Sequence, residues 1–110
     1  MNETPYTLVS NWYIVDVIDG DSSLGKVLWC ICEEDFTLRF EPGQYICSSR
    51  IVKIVPSERL IETSSASLYK LVDDGQSVSI NVTDFELLRA GYSPDQIQLL
   101  KRVNLSLQEQ

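Results

Sequence analysis

The sequence predicts an α+β domain, a mostly antiparallel, curled or barrel-like sheet of five to seven strands followed by two short C-terminal helices. Three observations lead there. From Asn11 to about Val82, β-branched and aromatic residues recur in short runs separated by turn formers. After Val82 the apolar spacing lengthens from two residues to three or four. Strands gathered first and helices after them suit an α+β layout better than alternating β and α units.

Taken in order, Trp12–Ile18 is a β run that ends at the turn cluster Asp19-Gly20-Asp21. Val27 to Glu33 is the second run. Val27, Trp29 and Ile31 share one face and Leu28, Cys30 and Cys32 the other, so both faces are apolar and the strand is expected to be central. Glu33-Glu34-Asp35 interrupts it with charge. Phe36, Leu38 and Phe40 then alternate with Thr37 and Arg39, which predicts a half-buried third strand.

Glu41-Pro42-Gly43-Gln44 has Pro and Gly where a type II turn wants them. Tyr45–Val55 resumes β structure until Pro56, and Leu60–Thr63 and Ser67–Val72 are shorter runs around a serine-rich link. Asp73-Asp74-Gly75-Gln76 predicts a second hairpin turn, leading to Ser77–Val82. The two tight turns favour a meander.

Thr83-Asp84-Phe85-Glu86 fits a capping box, and Gly91 is placed to end the short helix it opens. Ser93-Pro94-Asp95-Gln96 repeats the start signal, after which Ile97, Leu100 and Val103 line one face at helical spacing. The 110 residues suit a single domain spanning 1–110, with residues 1–10 and 106–110 expected to be flexible ends.

Composition narrows the function classes. Lys and Arg number 9 against 16 Asp and Glu, a net charge of −7, which disfavours direct nucleic-acid binding and anionic membranes. There is no histidine, which removes the commonest general base and zinc ligand. An enzyme is not expected, nor is any cofactor. With no signal-peptide pattern and no apolar run of bilayer length, a cytoplasmic location is expected.

Cys30, Cys32 and Cys47 are odd in number, and without a fourth ligand they read as small buried hydrophobes, not as a metal site. Cys47 beside Ser48 and Ser49 lacks a base to make a thiolate nucleophile. Asp19-Gly20-Asp21-Ser22-Ser23-Leu24 begins like a calcium loop but has Leu24 at the sixth position and Cys30 at the twelfth, so it reads as a solvated turn. Carboxylates on exposed turns, such as Glu33-Glu34-Asp35 and Asp73-Asp74, keep ordinary acidity and suit solvation better than catalysis.

The acids are unevenly spread. The first 40 residues hold Glu3, Asp16, Asp19, Asp21, Glu33, Glu34 and Asp35 against Lys26 and Arg39, a local balance of −5. If the first three β runs form a meander, Asp19, Asp21 and Glu41 fall at one end of the sheet and Glu33, Glu34 and Asp35 at the other. Such a field steers a basic partner toward the surface. The candidate partner-binding residues are therefore Asp19, Asp21, Glu33, Glu34, Asp35 and Glu41, with Trp12, Tyr13 and Tyr45 as possible anchors near them.

The expected function is a small acidic inhibitor, most nearly an immunity-type protein neutralising a basic, nuclease-like bacterial toxin by stoichiometric binding. It is expected to be a monomer or weak homodimer. The alternatives are a non-catalytic accessory or scaffold domain, and a phage-borne nucleic-acid mimic that blocks a host defence complex.

Overall fold

A strand with apolar side chains on both faces has to be covered twice, and the run from Val27 to Cys32 imposes that requirement on the fold. The computed structural model describes residues 4–108. It contains strands β1 (Thr7–Asp19), β2 (Ser22–Asp35), β3 (Tyr45–Val55), β4 (Leu60–Thr63), β5 (Leu68–Leu71) and β6 (Gln76–Asn81). Helices α1 (Phe85–Arg89) and α2 (Pro94–Gln108) follow, so the fold is α+β with a curled sheet ahead of the helices.

The strands β1 to β5 pair antiparallel in sequence order, and β5 then returns parallel to β1, with Thr7–Val9 opposite Tyr69–Leu71. The five strands thus close on themselves, which leaves no free edge where the ring is complete. β6 lies parallel to the second half of β1, with Tyr13–Ile18 opposite Gln76–Asn81. Leu28, Cys30 and Cys32 of β2 point inward and pack with Val9, Ile46, Ile61 and Tyr69. Val27 and Trp29 point outward and pack with Val15, Val17 and Ile80, under Leu88 of α1 and Ile97 of α2. The two apolar faces read from the sequence are the two cores.

β1 contributes to both cores by changing phase. Its pairing with β2 slips between Ser10 and Tyr13, and Asn11 there has a positive φ of 47°. Asparagine tolerates that conformation better than most residues. Before the irregularity Val9 faces the closed barrel; after it Trp12 and Ile14 do, and Tyr13, Val15 and Val17 turn toward the helices. A bulge is the device that re-aims a strand in this way.

Four expectations need correcting. Phe36–Phe40 is not a strand but part of the β2–β3 loop, where Leu38 has φ 64° and is 93% exposed. The Asp35 carboxylate accepts the main-chain N–H groups of Thr37, Arg39 and Phe40 and so turns the backbone back on itself. Asp73–Gln76 is not a hairpin turn, because β5 and β6 both run parallel to β1 and the segment only steps the chain from one to the other. Thr83 does not cap a helix: the Asn81 side chain accepts the Thr83 N–H and a 3₁₀ turn precedes α1. Leu100 and Val103 are exposed, and only Ile97 of the expected helix face is buried.

β1 begins at Thr7, inside the segment expected to be a flexible end, and both Thr7 and Val9 are fully buried. At the other end α2 continues through 106–108, while residues 109–110 lie outside the described residues. Other local signals hold. Gln44 N–H donates to the Glu41 carbonyl across Pro42 and Gly43, with φ 87° at Gly43. Ser93 and Gln96 cap α2 reciprocally, each side chain accepting the other's main-chain N–H. The serine-rich link is the β4–β5 hairpin.

Where β1 changes phase, the Trp12 indole lies flat on Gly75. An added Cβ at Gly75 would stand 2.1–2.3 Å from three indole carbons. Gly75→Ala is expected to lower stability in urea unfolding by about 1–3 kcal/mol, the usual cost of overpacking.

Candidate functional site

The six acids named from the sequence fall at the two ends of the β1–β2 hairpin. β1 has 13 residues, so these ends stand roughly 40 Å apart at the rise of an extended strand. Asp19 and Asp21 are exposed, Asp21 lying within the two-residue turn Gly20-Asp21 that joins Asp19 to Ser22, with Gly20 at φ 61°. That geometry is a tight hairpin.

Glu33, Glu34, Asp35 and Glu41 gather at the opposite end. Glu41 was expected beside Asp19 and Asp21. Because Phe36–Phe40 does not cross the sheet, Glu41 stays in the loop that returns to β3, where Gly43 N–H donates to the Cys32 carbonyl at 2.8 Å. Glu33, Glu34 and Glu41 are exposed, and Glu33 Oε2 accepts the Ser10 hydroxyl at 2.8 Å. The ion pairs among the described residues are Arg89–Glu86 and Lys101–Asp84, so none of the six acids is paired with a cation. Their joint field is felt at Cys32, whose thiol is pushed up first by burial and then by Asp35, Glu33 and Glu41.

Asp35 departs from the ordinary acidity expected of it as an exposed turn carboxylate. Its carboxylate accepts five hydrogen bonds, from the Thr7 and Thr37 hydroxyls and from the N–H groups of Thr37, Arg39 and Phe40. Burial by itself would raise its pKa, but these donors outweigh burial and hold the carboxyl well below the ordinary range. Asp35 organises the acidic loop; Glu33, Glu34 and Glu41 are the ones turned to solvent.

The thiols do not converge. Cys30 and Cys32 are buried inside the barrel and Cys47 packs on the other core. Burial pushes the Cys30 thiol far up and Cys47 to about 11, with Arg89 opposing the rise at Cys47. Among the described residues no three Cys, Asp or Glu side chains are grouped as a metal site. None of the described helices is long and apolar enough to cross a membrane.

A cleft of about 510 Å³ opens where β1 changes phase, within the range of sites that take small groups. Trp12, Tyr13, Trp29 and Ile31 form its apolar wall, and Asp73, Asp74 and Gln76 its polar side. Asn11 N–H donates to Asp73 Oδ2 at 3.2 Å, and Trp12 Nε1 donates to the Val72 carbonyl at 2.9 Å. The Tyr13 hydroxyl donates to Asp95 Oδ2 at 2.9 Å, tying the wall to α2. Tyr45, the third aromatic singled out from the sequence, stacks on Trp29 with ring centres 6.4 Å apart. Sequence reasoning took Asp73-Asp74 for a hairpin turn and so missed the polar side. The polar Asn11 ahead of adjacent Trp12 and Tyr13, breaking the alternation of β1, was the available signal.

No known protein family matches the chain, and neither does any curated protein or solved structure.

The depressed Asp35 pKa carries a pH signature. Its stabilising contribution is complete above the unfolded value of about 4 and is lost as pH falls from there through the lower folded value. Urea unfolding from pH 7 down to pH 2 is expected to show this loss in the parent protein. Asp35→Asn is expected to be less stable at pH 7 and to have a flatter acid limb; an unchanged limb would mean that Asp35 is not the linked group.

Proposed function

We propose that this protein works by binding, as a small acidic inhibitor that neutralises a basic, nuclease-like bacterial toxin in a stoichiometric complex, in the manner of an immunity protein. The observation that carries the reading is the group Glu33, Glu34 and Glu41, exposed at the end of β2 and on the loop that follows it, and unpaired with a cation among the described residues. Nuclease active surfaces are basic because their substrate is a polyanion, so an opposing field speeds encounter and selects the partner. The end of β2 and the ordered Asp35 loop present these charges without first having to fold.

A nucleic-acid mimic fits less well, since it needs acids spaced like phosphates along a surface and these stand in two groups at opposite ends of a hairpin. One observation favours a non-catalytic scaffold domain instead. On α2, Leu99, Leu100 and Val103 are 60%, 39% and 49% exposed, an uncovered strip that an accessory role would use.

Affinity capture from lysate of the native host at low and physiological salt separates these readings. The inhibitor reading expects one basic protein held 1:1, more weakly at higher salt. The combined Glu33→Gln, Glu34→Gln and Glu41→Gln variant should then lose about tenfold in association rate at low salt, with little change in dissociation. A salt-independent complex, or an unchanged association rate, would refute it.

A further inference from the structure

The cleft at the phase change of β1 has chemistry of its own. Its lining includes the carboxyl-bearing Asp73 and Asp74 and no Lys or Arg, against a wall of indole and phenol rings. Asp73 is engaged, accepting Asn11 N–H and Gly75 N–H. The Asp74 side chain is exposed and makes no hydrogen bond among the described residues. Arg59, which donates to the Leu71 and Asp73 carbonyls, is not part of the lining.

A second and independent feature lies in the same wall. Trp29 is 5% exposed, and its Nε1 is the buried side-chain donor left without an acceptor among the described residues. That nitrogen is enclosed, so Trp29 serves the cleft as an aromatic wall residue and not as a donor to a ligand. Trp12 does have an acceptor, in the Val72 carbonyl.

We propose that this cleft seats an arginine side chain presented by the protein partner, with the guanidinium against the aromatic wall and Asp74. A cation over aromatic faces is attracted by their negative π clouds. The planar guanidinium both stacks on rings and forks onto a carboxylate, which an ammonium does not. The assignment rests on the reading that the partner is a basic protein, and it places the anchor in the cleft, apart from the two acidic ends of the hairpin.

Trp12 and Trp29 are the two tryptophans of the chain, so ¹⁵N-labelled protein gives two indole N–H resonances. The probe is N-acetyl-arginine N-methylamide, and the control is its citrulline counterpart, of the same shape without the charge. The Trp29 indole resonance is expected to move with the arginine probe and saturate in the range of about 1–10 mM, as suits so small a ligand. Citrulline should leave it in place, and Asp74→Asn should weaken binding by about two- to fivefold, the effect of an exposed ion pair.

Indole resonances unmoved at about 50 mM probe, or moved equally by citrulline, would overturn the assignment. Asp74→Lys then separates it from the wider reading. If a captured basic partner binds this variant as tightly as the parent, the cleft assignment fails and the partner reading stands. If the probe binds but no basic protein is captured, the cleft stands and the partner reading fails.

Discussion

The fold depends on a single strand that has to satisfy three neighbours. β1 pairs along its length with β2, along its first residues with β5 and along its last with β6. It also has to bury one set of side chains in the closed barrel and the opposite set under the helices. A regular strand cannot do this, because its alternation is fixed at two residues. Asn11 breaks the alternation with a positive φ, and the break is braced from outside. Asp73 accepts the Asn11 N–H, and the Trp12 ring closes over Gly75. The step from β5 to β6 is thus held opposite the step within β1, one irregularity answering the other.

That constraint explains which parts of the fold were legible in the sequence. The two apolar faces of β2 could be read because alternation is local, and they translate directly into two cores. The Pro42-Gly43 turn and the Ser93–Gln96 cap were legible for a similar reason, each being decided by a few adjacent residues. The parallel return of β5 to β1 was not legible. It joins residues some sixty positions apart, and nothing within either segment encodes the pairing. Phe36–Phe40 misled because its alternation is genuine but loses to a stronger local term, the Asp35 carboxylate satisfying successive N–H groups. Leu100 and Val103 have helical spacing without cover; among the described side chains of α2 it is Ile97, near its start, that packs into the core.

The candidate site was legible in its charges and not in its geometry. All six acids could be named, but their grouping depended on whether 36–40 crosses the sheet. Asp35 illustrates the difference. By residue type it belongs with Glu33 and Glu34, yet its hydrogen bonds make it the organiser of the loop that carries Glu41 beside them. The cysteines show the converse. Residue type alone reads them as small buried hydrophobes, and burial keeps Cys30 and Cys32 as neutral thiols filling the barrel interior.

Charge and shape are therefore supplied by different parts of the molecule, which has a kinetic consequence for the proposed complex. Exposed carboxylates at the hairpin end act over a Debye length or so, and they govern how often a basic partner arrives. They hold little once contact is made, because exposed pairs are weak. A rigid aromatic cleft acts only at contact and governs how long the partner stays. The bulge that lets β1 serve two cores also leaves Trp12, Tyr13 and Trp29 around an opening, braced by Asn11, Gly75 and Asp95. The rigidity a binding anchor needs is then the same rigidity that the phase change of β1 requires, so the cleft demands no stabilising contacts beyond those that close the fold.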